Sequence, residues 1–133
     1  MRNIPNGASH EKRMLVTTEI AIDHLGREDA RVLATPHLVW QLELAARDAI
    51  LPFLDEGEES VGTEVHIRHL AATPIGMSVT FRARVEQVEG RRVRYIVEAE
   101  DERELIASGT HERFVVQIAK FVSRLAAKSA GQT

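Results

Sequence analysis

The sequence predicts an α+β domain in which one antiparallel sheet wraps around a single long central helix. Three observations carry this. One segment, residues 35–53, has apolar residues at helical spacing and is apolar nearly all round, so it should be enclosed. Four later segments switch to period-two alternation. The links between those segments are short and rich in turn formers, which calls for antiparallel neighbours.

Residues 1–12 contain Pro, Gly, Asn and Ser and read as a flexible N-terminal lead-in. Residues 14–22, rich in β-branched side chains, read as the first strand. Residues 23–30 are charged, include Gly26, and read as a loop. Thr35 stands at the expected N-cap and Pro36 at the first helical position. Leu38, Val39, Leu42, Ala46, Ala49, Ile50 and Phe53 follow the helical period, and Trp40, Leu44, Ala45 and Leu51 fill most other positions. Pro52 and the acidic run 55–59 end the helix.

Strands are expected over residues 61–72, 77–88, 91–100 and 104–118, as a meander. The turns fall at 73–76, at Gly90 and at 101–103, and a short closing helix reaches about residue 128. The organisation is one domain over 13–128 between the lead-in and a polar tail at 129–133.

The chain has 133 residues, a net charge of -3 and no cysteine. A pI near 6.1 argues against nucleic acid as a partner, because neutralising phosphates needs a basic surface. Without cysteine there is no disulfide and no thiolate chemistry. The N-terminus lacks the apolar core of a signal peptide. No run reaches the roughly 20 apolar residues that span a bilayer. The expectation is a cytoplasmic protein with no membrane partner. A domain this small gains buried surface by pairing, so a homo-oligomer is expected.

Candidate chemistry lies in a few polar residues among apolar ones. On the strand 61–72, alternation places Val61, Thr63, Val65, Ile67 and His69 on one face, and Gly62, Glu64, His66 and Arg68 on the other. His69 then points to the core or a cleft beside it, either as a core histidine bonded to a carbonyl or as a working base. Glu43 lies within the apolar helix. It either pairs with Arg47 at i,i+4, for about 0.2–0.5 kcal/mol, or is desolvated and suited to general-base work. Thr35 caps the helix, and that end can also hold an oxyanion. Gly62 admits a close backbone approach or marks a bulge. Arg82, Arg84, Arg92 and Arg94 line the outer face, where pairing with Glu86, Glu98 and Glu100 is favoured over phosphate binding. No glycine-rich phosphate loop, nucleophile elbow or metal-ligand histidine spacing occurs.

Four segments together resemble the hotdog thioesterase family typified by fluoroacetyl-CoA thioesterase. They are Ala34-Thr35-Pro36 with Glu43 eight residues after the Thr; Val61-Gly62-Thr63 running to His69; Ala71-Ala72-Thr73-Pro74 with Gly76; and Ser108-Gly109-Thr110-His111-Glu112-Arg113. The likeness spans residues 12–124. It implies a hotdog fold, a homodimer with sites at or near the subunit interface and further pairing to a tetramer left open, and hydrolysis of an acyl-CoA thioester. It further implies Thr35, Glu43 and His69 as the catalytic set, Gly62 near the acyl carbonyl and Arg113 at the far end of the site. No metal or resident cofactor is implied, CoA being part of the substrate. The fluoroacetyl specialists resemble this chain but carry a longer, phenylalanine-bearing lid before the Thr. Residues 22–34 here are shorter, charged and lack Phe, so fluoroacetate specificity is not carried over. A non-catalytic acyl-CoA binding module on the same fold is the alternative reading. A hydratase or isomerase is disfavoured because no Asp is followed five residues later by His.

Overall fold

The computed structural model describes residues 1–131. A five-stranded antiparallel sheet is ordered β1-β3-β4-β5-β2, with β1 Ser9–Leu15, β2 Glu58–His69, β3 Ser78–Glu89, β4 Arg92–Glu100 and β5 Leu105–Gln117. The helix α1, Thr35–Ile50, packs on one face of it and continues into a 3-10 turn, Leu51–Phe53. A second helix, α2, spans Ile118–Ser129, the closing helix expected from the sequence. Ser129 closes that helix, and the last two positions of the expected polar tail lie outside the described residues.

The core forms where α1 meets the inner sheet face. Leu38, Leu42, Ala45, Ala46, Ala49 and Ile50 of the helix are buried with Phe81, Val85, Val93, Tyr95, Val97 and Val115 of the strands. Alternation sets this pattern: in β4, Val93, Tyr95, Val97 and Ala99 point in. On the outer face Arg82 pairs with Glu11, Glu98 and Glu100, Arg92 with Glu112, and Arg94 with Glu64 and Glu86. This is the cross-strand pairing expected, and it occupies three of the four arginines considered for phosphate binding.

Four expectations need correction. The first strand is Ser9–Leu15 and not 14–22, so part of the lead-in belongs to the sheet. Ile4 is buried in the core, and the amide of Arg2 donates to the Phe53 carbonyl. This strand is charged because it is an edge, where solvated side chains block further pairing, and a charged edge gives little hydrophobic signal. Only β3, β4 and β5 form a meander. Residues 70–77 carry the chain from β2 across to β3, and β2 pairs with β5 at the other edge. Nor are α1 and its 3-10 extension covered all round by their own chain: Trp40 is 53% exposed and Leu51 is 38% exposed.

The fourth correction concerns β2. Its register against β5 shifts between Gly62 and Glu64, so a bulge at Thr63 reverses the alternation. Gly62 opposes Arg113, Val65 opposes His111 and His69 opposes Ala107. Opposed residues share a face, so Gly62 and His69 both face inward although their parity differs.

Candidate active site

Thr35 is the first residue of α1, not its cap. Ala34 holds the cap position and no side chain caps the helix. The Thr35 hydroxyl is therefore free for another partner, and its Oγ1 lies 2.7 Å from Nδ1 of His69. The helix start brings Thr35 to this point and the C-terminal end of β2 brings His69. Burial pushes the His69 pKa below its ordinary value, which favours the neutral imidazole. Its Nε2 is buried with no hydrogen-bond partner. The pair opens on a cleft of about 400 Å³ lined by Ile22, Val32, Leu33, Leu70 and Ala71, with His24. Arg31 secures this cleft's loop by donating to the carbonyls of Thr18 (2.7 Å) and Ile22 (3.1 Å).

Glu43 belongs to a second cluster. It does not pair with Arg47, whose guanidinium turns to Glu59 at 2.9 and 3.0 Å. Its partner is Arg113, whose Nη1 donates to Glu43 Oε2 at 3.3 Å. Arg113 is held by β2: Nε donates to Ser60 Oγ (2.8 Å) and Nη2 to the Ser60 carbonyl (2.9 Å). Burial lowers the Arg113 pKa from its usual value, but a guanidinium stays charged at any working pH. His111 sits beside it, with Nε2 3.3 Å from Nη1 and Nδ1 2.8 Å from the Glu64 carbonyl. The His111 ring stacks on Tyr95, centroids 5.7 Å apart.

Gly62 completes this cluster. A Cβ there would stand 2.8 Å from Glu43 Oε2 and 3.4 Å from His111 Cε1, so only glycine lets the carboxylate rest against the strand. Gly62 adjoins the bulge at Thr63, and the close approach it admits in the structure is that of the Glu43 carboxylate. Gly109 is small for a different reason, since a Cβ would lie 1.9 Å from the His66 carbonyl oxygen.

Of the residues singled out in the sequence, Thr35 meets His69, and Glu43 meets Arg113 and Gly62. The two groups stand apart along α1, because eight residues separate Thr35 from Glu43, about 12 Å of helix axis. Ser60, Tyr95 and His111 were not singled out as site residues. The available signal was the period of β5, which puts His111 on the same face as Arg113. Among the described residues no cluster of three or more His, Asp or Glu has metal-binding geometry.

A half-buried histidine bonded to a hydroxyl, and a carboxylate held by a guanidinium against a backbone glycine, are parts suited to acyl transfer. A sheet wrapped around one helix and carrying these parts defines a hotdog-fold thioester hydrolase. The profile of the family described as fluoroacetyl-CoA-specific thioesterase matches residues 15–119. The chain belongs to this family. It is 42% identical over 102 residues to a fluoroacetyl-CoA thioesterase of Streptantibioticus cattleyicolor, covering 77% of this chain and 73% of that protein. A crystal structure of a thioesterase superfamily member from Thermus thermophilus matches with a TM-score of 0.88 at 39% identity, over 98% of this chain and 96% of that one. The solved fluoroacetyl-CoA thioesterase FlK matches with a TM-score of 0.85 at 36% identity, over 95% and 98%.

Proposed function

We propose that this protein hydrolyses a short or medium acyl-CoA to the free acid and CoA, as a homodimer whose sites each draw on both copies. The observation that carries the reading is the Glu43 carboxylate, held by Arg113 against the open backbone of Gly62. There a thioester carbonyl could lie beside the strand while the carboxylate activates the attack, as the nucleophile or as the base for a water. His69 holds the Thr35 hydroxyl, and its neutral ring can take up a proton from the attacking water and deliver it to the departing thiolate. The chemistry is assigned to side chains alone, with CoA entering only as part of the substrate.

The separation of the two clusters supports a shared site. β2 is an edge strand, so one side of its backbone is open. Trp40, Leu51, Val65 and Leu70 are large apolar side chains exposed on or beside α1 and β2. Antiparallel pairing of two β2 edges about a two-fold at His66, with the bulge at Thr63 taking up the extra residue, would set His69 of one copy opposite Gly62 of the other. Glu43 of one copy would then meet Thr35 and His69 of the second. No helix among the described residues is long and apolar enough to cross a membrane, and the reading places the enzyme in the cytoplasm.

The test is release of free thiol across a panel from acetyl- and fluoroacetyl-CoA to long-chain acyl-CoA. Turnover of a short or medium class, lost in Glu43→Gln, is expected. Binding of acyl-CoA without turnover of any member would overturn the reading in favour of a binding module.

A further inference from the structure

We propose that His111 is a positioning residue for Glu43: held neutral with its proton on Nδ1, it accepts a hydrogen bond from Arg113 and so aims the guanidinium at the Glu43 carboxylate. This rests on Glu43 being the group that activates attack on the thioester.

The hydrogen-bond partners fix the protonation state. Nδ1 lies 2.8 Å from the Glu64 carbonyl, which only accepts, so Nδ1 carries the proton. Nε2 lies 3.3 Å from Nη1 of Arg113, which only donates, so Nε2 is bare. Only the neutral Nδ1–H ring satisfies both. An added proton would set an N–H of one cation against an N–H of another.

The surroundings hold this arrangement. The ring is stacked against Tyr95. Ser60 accepts from Nε and Nη2 of Arg113. Nη1 is left to be shared between His111 and Glu43. The groups facing His111 are Glu43 from α1, Tyr95 from β4, Arg113 from β5 and the Glu64 carbonyl from β2, and the charge of Glu112 reaches it from the other face of β5. Burial, helped by the Arg113 charge, favours the neutral ring over the opposing pull of the Glu64 carbonyl, Glu43 and Glu112. Protonation at low pH removes the acceptor and repels Arg113, so Glu43 loses its orientation.

Three measurements test this. In protein labelled with 15N at histidine, the His111 resonances, assigned by their loss in His111→Gln, should report the neutral Nδ1–H form at pH 7. His111→Phe keeps a ring against Tyr95 but removes the acceptor, so kcat should fall about tenfold or more with KM nearly unchanged. His111→Gln retains an acceptor without a titrating ring. It should keep most of kcat and shed one proton-dependent step from the acid limb. An Nε2–H tautomer or an imidazolium at pH 7 overturns the proposal, as does wild-type kcat in folded His111→Phe or an unaltered acid limb in His111→Gln. Should His111→Phe not fold, the tautomer and the Gln profile decide. A wild-type protein with no thioesterase activity would overturn the role of Glu43 instead, and the tautomer would still be read.

Discussion

The Thr35 hydroxyl and the His69 imidazole meet at 2.7 Å across 34 residues of sequence, and the helix cap has no share in the contact. Capping and catalysis predict different outcomes for Thr35→Ala. Loss of a capping side chain costs about 1 kcal/mol. Here alanine removes one hydrogen bond at an exposed position and improves helix propensity, so the net loss of stability should be below about 1 kcal/mol. The kcat for acyl-CoA hydrolysis should nevertheless fall by about 10²-fold or more. Urea unfolding and steady-state kinetics on one preparation check both halves.

Gly62 and Gly109 both face inward on neighbouring strands, yet alanine should act differently at each. At Gly62 the new methyl meets the end of the Glu43 side chain, which can move. The fold should survive while kcat drops at least tenfold as the carboxylate is displaced. At Gly109 it meets the His66 backbone, which cannot move without parting β2 from β5. The expected loss there is about 1–3 kcal/mol or more, read as a lower Tm.

One buried and two half-buried histidines shape the acid stability. The pKa values of His37, His69 and His111 are each lowered, in every case chiefly by burial. The folded state therefore binds these protons less readily than the unfolded chain. Their contribution is fully present above the ordinary histidine value of about 6.5 and is lost as pH falls through the lower folded values. Glu58 acts in a more acidic window. The Asp55 amide, the N-terminal amine and Arg91 hold its pKa down to about 2, so its contribution is lost as pH falls below about 4.5 towards that value. Urea midpoints measured from pH 8 to pH 3 should decline first below about pH 6.5 and again below about pH 4.5.

The central parts of the fold were legible because they are periodic. The helix of residues 35–53 and the four later strands appear within a few residues of their expected places. What escaped was not periodic. β1 is a charged edge, and the single extra residue at Thr63 reverses a face that alternation alone assigns wrongly. The strand order depends on where residues 70–77 carry the chain, which a local pattern does not encode. Thr35, Glu43, His69 and Gly62 stood out in the sequence with two readings each, as isolated polar residues or a glycine; the resemblance chose between the readings and added Arg113. Ser60, Tyr95 and His111 become visible only when β2, β4 and β5 lie side by side.

The shared site makes the most direct prediction. Glu43→Gln and His69→Ala should each abolish turnover alone. Mixed, unfolded together and refolded, they should recover about a quarter of wild-type activity, because half of the random dimers are mixed and each has one intact site of two. Recovery near that level would place Glu43 of one copy with His69 of the other. Two folded, dimeric variants that recover nothing on mixing would contradict the account and return the whole site to one chain.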